Sequence, residues 1–258
     1  LNPKFITAKE AAALIPDGAS VMLGGFVGCG SALQVIDELS KLPTKDLHLI
    51  MNDSSKLNGP DGDEYYSWAK LIHNGQVKSY LGSHLGTNPE AQKMEAAGAM
   101  HVDLVPQGSL AEMIRAGGYG LGAVVTPTGV DTLVEQSPYC LGRQTIEGKD
   151  YLLMKPVTAE WCIIKGYKVD KLGNVWYKGT GRNFSPLMAT AAKHVIVEAE
   201  NLVDVGEILP EDVMTPGILP VSGNTPFGVE VGALPSGRRA GKPLADGVSP
   251  NGGTDVNG

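Results

Sequence analysis

Cysteine is scarce in this chain. Among 258 residues there are only Cys29, Cys140 and Cys162. Odd in number and widely spaced, they form neither a disulfide framework nor a C-x-x-C metal site, and they predict a reducing, cytoplasmic setting. Basic charge is short as well: 21 Lys and Arg stand against 28 Asp and Glu, for a net charge of -7. A nucleic-acid surface needs a basic face, so that class of partner is excluded, and any anionic ligand must be held locally by loops and a few cations. There is no 18-residue apolar run to cross a membrane, and the N-terminus lacks the successive zones of a secretory leader. No G-x-S-x-G nucleophile elbow occurs, which leaves a hydrolase triad without support. The five histidines, His48, His73, His84, His101 and His194, never pair at ligand spacing. Each reads as a surface or satisfied core residue, and no metal site is expected.

What the chain does have is glycine, concentrated where a strand turns into a helix. Val21-Met22-Leu23 runs into Gly24-Gly25-Phe26-Val27-Gly28-Cys29-Gly30, with four glycines in seven residues. Ala32, Val35, Ile36 and Leu39 follow at i, i+3, i+4 and i+7, the spacing of one buried helical face. Glycines permit positive φ and close approach of another molecule, and free N–H groups at a helix start favour an oxyanion or phosphate. A plain structural turn fits the same pattern. The glycines do not fall at the G-x-G-x-x-G spacing of a dinucleotide site. Cys29, with no histidine near it in sequence, reads as a small buried filler.

Along the rest of the chain, strand and helix signals alternate. Thr7 and Glu10 form a capping box opening a short first helix. An apolar strand at 47–51 stops at Asn52-Asp53-Ser54-Ser55, a helix is predicted over 65–72 and a strand over 77–81. Asn88 and Pro89 start a further helix, a strand covers 100–105, and Ser109 is expected to cap a helix over 110–116. This rhythm predicts an α/β fold, an open, mostly parallel sheet with helices on both faces. Ligands in such sheets bind at the carboxyl ends of the strands, which here deliver Gly25, Asn52, Gly82 and Gln107 to one rim. Gly117 to Gly122 reads as a second glycine-rich loop, either a lid or a connector. From Val134 the strands shorten and read as antiparallel additions to the same domain.

The order of these motifs resembles the alpha (A) subunit of the family I 3-oxoacid CoA-transferases. The likeness is carried by Asp17-Gly18, the apolar strand, Gly24-Gly25-Phe26 and Gly30. It continues through Pro106-Gln107-Gly108-Ser109, Tyr177-Lys178-Gly179-Thr180, Arg182-Asn183-Phe184 and Val197-Glu198-Ala199-Glu200-Asn201. The signature's closing proline is replaced by Ala32. The resemblance covers roughly residues 3 to 218 and is nearest to acetate, acetoacetate or butyrate CoA-transferases. It implies transfer of CoA from an acyl-CoA to a short-chain carboxylate through a glutamyl-CoA thioester, with no tightly bound cofactor and coenzyme A thioester as substrate. The nucleophilic glutamate then belongs to a beta subunit with a Ser-Glu-Asn-Gly motif, most simply in an α2β2 assembly. Here Ala199 precedes Glu200-Asn201 and Leu202 follows, so that motif is absent. By the same resemblance Asn52 and Gln107 line the reacting centre, with Gly24, Gly25, Phe26, Gly28, Cys29 and Gly30 beside the thioester. Lys178 and Arg182 are candidate contacts for phosphate or carboxylate. A phosphosugar isomerase-like enzyme on a similar sheet, or a binding subunit without catalysis, are the alternatives.

Residues 220–258 depart from this pattern. They hold 9 Gly and 5 Pro in 39 residues and have no apolar periodicity. The stretch around Pro226-Phe227-Gly228 and 232–247 resembles a segment of the glycyl radical enzymes, without their radical glycine motif or active-site cysteine. The chain therefore divides into a domain over 1–219 and a Gly/Pro-rich tail of foreign type. That tail is expected to lie extended over the surface or to be mobile, with Val229 and Val231 able to pair along a sheet edge.

Overall fold

A computed structural model describes residues 4–60, 62–217 and 228–230. Strand β1 (Lys4–Ile6) leads into α1 (Ala8–Ala12), where the Thr7 hydroxyl accepts the Glu10 N–H and the Glu10 carboxylate accepts the Thr7 N–H. Then come β2 (Ser20–Leu23), α2 (Leu33–Ser40), β3 (Leu47–Ile50), the small hairpin β4 (Lys56–Leu57) and β5 (Tyr65–Tyr66), and α3 (Ala69–His73). The helix expected over 65–72 is thus only its second half. Tyr65 and Tyr66 pair with Leu57 and Lys56, and Trp68 precedes the helix with its indole wholly buried. Next follow β6 (Val77–Gly82), α4 (Pro89–Ala96), capped by the Asn88 side chain, β7 (His101–Leu104) and α5 (Gln107–Tyr119).

Helix α5 begins at Gln107 and not beyond Ser109, and it runs through the expected second glycine loop. The reason is packing. A Cβ on Gly117 lies 2.1 Å from the Val157 carbonyl oxygen, and one on Gly118 lies 2.2 Å from Thr190 Oγ1. Only glycine lets the helix come this close, and it stops at Gly120 in the left-handed region.

The second half holds β8 (Val124–Thr126), β9 (Cys140–Ile146) and β10 (Lys149–Met154), an antiparallel sheet of its own in the order β8-β10-β9. After it come β11 (Ala159–Asp170), β12 (Val175–Trp176), α6 (Ser185–Thr190), β13 (Ala192–Val203) and β14 (Gly228–Glu230). Strands β9, β10 and β12 are antiparallel additions as expected from Val134 onward, β8 is a further one that precedes that point, and β11 and β13 are not antiparallel additions. They are 12-residue strands in the parallel path β1-β14-β13-β11-β2-β3-β6-β7. Cys162, Ile163 and Ile164 are buried in succession, as a strand covered on both faces requires.

Side-chain alternation divides the core into two layers. Val21 and Leu23 join α1, α2 and α3 through Ala11, Val35, Ile36 and Leu71, while Met22 joins α5 and α6 through Met113 and Met188. Within the tail, Val229 of β14 pairs with Phe5 of β1 and Val197 of β13, so Gly228–Glu230 form a strand in the sheet. The expected pairing of Val231 and the rest of the tail lie outside the described residues. Among the described residues no helix is long and apolar enough to cross a membrane.

Candidate active site

The carboxyl ends of β2, β3, β6 and β7 lie side by side in the sheet, and three of the loops that leave them carry the site. After β2, the Gly24 N–H donates to the Ile163 carbonyl at 2.9 Å, tying the first glycine to β11. Phe26 and Cys29 exchange two backbone hydrogen bonds of 3.0 and 2.8 Å across Val27 and Gly28. Both central residues have positive φ, 48° at Val27 and 81° at Gly28. This is the two-residue hairpin geometry in which glycine is at home and a β-branched residue is not. Gly28 is also required sterically, because a Cβ there lies 2.0 Å from the Tyr66 ring. The turn projects the Phe26 ring into solvent at 44% exposure.

After β3 comes Asn52, at 1% exposure. Its Nδ2 donates to Asp53 Oδ2 at 2.8 Å, and its Oδ1 accepts from Gln107 Nε2 at 2.5 Å and from Ser83 Oγ at 3.2 Å. Gln107, the first residue of α5, is exposed, and its Oε1 has no partner among the described residues. Two of the residues expected at the rim thus touch, Asn52 from the loop after β3 and Gln107 from the start of α5, 55 positions apart in sequence. Sequence reasoning passed over Asp53. Its carboxylate accepts the Val27 N–H and the Ser55 N–H, each at 2.7 Å, so it joins the β3 loop to the glycine turn. The available signal was a carboxylate directly beyond the strand end next to Asn52.

Two expectations are corrected here. The N–H groups at the start of α2 are not free for an oxyanion or phosphate. Glu198 of β13, 3% exposed, accepts the Gln34 and Val35 N–H groups through Oε2 at 2.9 and 3.2 Å. Burial pushes the Glu198 pKa up, against the opposing pull of the Val35 N–H, the Lys165 charge and the Gln34 N–H. An internal carboxylate thus occupies the anion site that the helix start offers.

Cys29 is not a buried filler but exposed. Its Sγ lies 3.4 Å from Thr180 Oγ1, and Asn183 Nδ2 donates to the Cys29 carbonyl at 3.0 Å. Cys29, Gly30, Lys165, Lys178, Thr180 and Glu200 help line a cavity of about 270 Å³. Lys165 pairs with Glu200 at 3.2 Å, and Lys178 Nζ sits 4.6 Å over the Tyr167 ring. Of the two candidate cations, Lys178 lines this cavity and Arg182 does not. Four of the histidines are engaged, His48 with Ser79, His73 with Glu90, His101 with Asp103, and His194 stacked on Trp161. Among the described residues no group of three or more His, Cys, Asp or Glu could hold a metal ion.

A buried polar relay, an exposed amide and a glycine turn at one sheet rim leave the chemistry open, and comparison with known proteins narrows it. The model of the coenzyme A transferase family matches residues 5–221. The chain belongs to the coenzyme A transferase family. Among curated relatives of this CoA-transferase chain, the acetoacetyl-CoA:acetate/butyrate CoA transferase alpha subunit of Clostridium acetobutylicum is 45% identical over 219 residues, covering 85% of this chain and 96% of that protein. The acetate CoA-transferase subunit alpha of Escherichia coli K12 is 41% identical over 217 residues, covering 84% of this chain and 94% of that protein. In structure the CoA-transferase chain is similar to an acyl-CoA transferase of Escherichia coli O157:H7 in a thioester complex with CoA. The TM-score is 0.76 at 19% identity, over 89% of this chain and 47% of that one. Glutaconate coenzyme A-transferase of Acidaminococcus fermentans gives 0.72 at 20% identity, over 89% and 76% of the two chains. At these identities the structural likeness speaks for the fold, the expected α/β architecture. The tail's likeness to glycyl radical enzymes gains no support from these comparisons.

Proposed function

We propose that this chain is the alpha subunit of a CoA-transferase that moves CoA between acetoacetyl-CoA, acetyl-CoA or butyryl-CoA and a short-chain carboxylate. The observation that carries this reading is that the rim presents the Asn52–Gln107 amide pair and the backbone of the glycine turn, with the neighbouring Asp53 carboxylate already engaged. Asp53 is buried and accepts three N–H groups, so it is committed to holding the site and is no nucleophile. The names of the alpha-subunit relatives favour the same reading and its substrate class.

The nucleophile then comes from a beta subunit, a glutamate that attacks the thioester carbonyl of the acyl-CoA. The tetrahedral intermediate collapses by expelling CoA as thiolate and leaves an acyl-glutamyl anhydride. The thiolate attacks the glutamyl carbonyl, releasing the first carboxylate and forming glutamyl-CoA, and the acceptor carboxylate reverses these steps. This chain's part is to aim donors at the developing oxyanion. Gln107 donates one Nε2 N–H to Asn52 Oδ1, which fixes the amide, and its second Nε2 N–H is the donor offered to a ligand at this exposed position. Of the glycine-turn residues Gly24, Gly25, Phe26, Gly28, Cys29 and Gly30, those open to the thioester arm are Phe26, Cys29 and Gly30, while Gly24, Gly25 and Gly28 are buried against Ser185, Trp68 and Tyr66 and shape the turn from within. The transferase assignment attaches to residues 1–219, which hold these positions, and the tail takes no part in catalysis. The assembly proposed is α2β2.

Acetoacetyl-CoA plus acetate, assayed with this chain, with a beta chain carrying Ser-Glu-Asn-Gly, and with the mixture, tests the proposal. Turnover is expected only on mixing. Turnover by this chain alone contradicts the division of labour, and an inactive but assembled mixture contradicts the transferase reading.

A further inference from the structure

Val27 is a β-branched residue held at φ 48°, a conformation that it does not adopt unassisted. The Phe26–Cys29 backbone pair closes the turn, and three further contacts tie the turn and its neighbours to one residue. The Asp53 carboxylate accepts the Val27 N–H at 2.7 Å. The same Oδ2 accepts from Asn52 Nδ2 at 2.8 Å, which leaves Asn52 Oδ1 turned toward Gln107. The Asp53 backbone carbonyl accepts the Trp68 Nε1–H at 2.8 Å, and the Trp68 ring closes on Gly25, where a Cβ lies 2.8 Å from a ring carbon. Asp53 itself is 1% exposed, and Ser55 N–H occupies its Oδ1.

We propose that Asp53 is a positioning residue of the transferase, one carboxylate that sets both the strained glycine turn and the orientation of the Asn52–Gln107 amide pair. The inference rests on the transferase reading for its consequence in catalysis, and on geometry alone for the tether. A carboxylate is the group the position calls for, because three N–H donors converge and an acceptor-only side chain meets all of them. Asparagine at 53 turns one acceptor into a donor, so one of the N–H groups is left facing N–H. Hydrogen bonds to a charged group are the stronger kind, and losing them releases the turn.

The test has two arms. In the first, amide exchange is measured on this chain alone. Asp53→Asn and Asp53→Ala are expected to speed exchange at Val27 by about 10-fold or more, with β2 and β11 unchanged. In the second, the assembled enzyme with its beta subunit is expected to lose kcat by about 10- to 100-fold in Asp53→Asn, and more in Asp53→Ala, with KM for the acyl-CoA held within about 3-fold. Val27→Asn added to Asp53→Asn creates an Asn-Gly pair that favours this turn unaided, and it is expected to recover several-fold of the lost kcat, which a loss of general stability does not allow. An Asp53→Asn enzyme with wild-type kcat, or Val27 exchange unaltered in that variant, overturns the proposal. Should neither variant fold, wild-type exchange decides: Val27 N–H protected like the β2 amides supports the tether, and free exchange overturns it. A wild-type mixture without activity tells against the transferase reading and leaves the exchange arm to decide the tether by itself.

Discussion

Glu198, from the middle of β13, accepts the Gln34 N–H at 2.9 Å and so closes the start of α2 from within the protein. The helix that the sequence presents as an anion site is supplied with an anion of its own. Lys165, in register beside Glu198 on β11 and ion-paired with Glu200, adds a favourable positive charge nearby.

This carboxylate gives stability a pH dependence of definite sign. Burial raises its folded-state pKa above the ordinary 4.5, so the native state binds more protons than the unfolded state between those two values. The Glu198 contribution is therefore fully present below the ordinary value and falls as pH rises through the folded one. Glu198→Gln retains an oxygen to accept the Gln34 and Val35 N–H groups but cannot ionise. Its melting temperature is expected to fall less steeply than that of wild type as pH rises above the ordinary 4.5 through the folded value, measured by calorimetry. Equal slopes in the two proteins would exclude Glu198 as the source.

Asn52 and Gln107 should separate in their effects on stability. Gln107→Ala removes an exposed amide and is expected to leave the melting temperature nearly unchanged while lowering kcat of the assembled enzyme by about 10- to 1000-fold. Asn52→Ala unpairs the buried Asp53, Ser83 and Gln107 contacts, so it should lower kcat similarly and also cost about 1 to 3 kcal/mol of stability. Steady-state kinetics beside urea denaturation distinguishes the two. Unchanged rates in both variants return these residues to structure.

Gly28→Ala is expected to be poorly tolerated for two reasons of different kind. The position has φ 81°, and the added methyl lies 2.0 Å from the Tyr66 ring. Together strain and overlap should cost about 2 to 4 kcal/mol in denaturant unfolding. Adding Tyr66→Ala removes the overlap but not the backbone strain, so only part of the loss should return.

The three thiols should react in a fixed order with a disulfide reagent. Cys29 is exposed, Cys140 half-buried, and Cys162 buried with its thiol pKa pushed up by burial. Cys29 is expected to label first and Cys162 only on unfolding, followed by mass spectrometry of the labelled peptides. A bulky adduct on Cys29 fills the cavity beside Lys178 and Thr180, and activity of the assembled enzyme should fall with that first labelling event.

The sequence by itself determined the alternation of elements, the parallel sheet, the capping of α1 and α4, and the family. These follow from local chemistry: apolar runs of strand length, a capping box at Thr7 and Glu10, Pro89 after Asn88, and glycine clustered at one strand end. Asn52 and Gln107 were legible as rim residues because both stand immediately beyond β3 and β7 or close to them. Tertiary structure alone decided what each group near the rim is bonded to. Whether the α2 N–H groups are free depends on Glu198, 164 positions away, and whether Cys29 is covered depends on the loop at Thr180. Local spacing cannot report either, since both depend on which strand lies next in the sheet. The same holds for Gly117 and Gly118, which read as loop residues until the Val157 carbonyl and Thr190 are packed against them. Composition records which residues are available, but a hydrogen bond or a close approach between distant segments exists only once sheet order has brought them together.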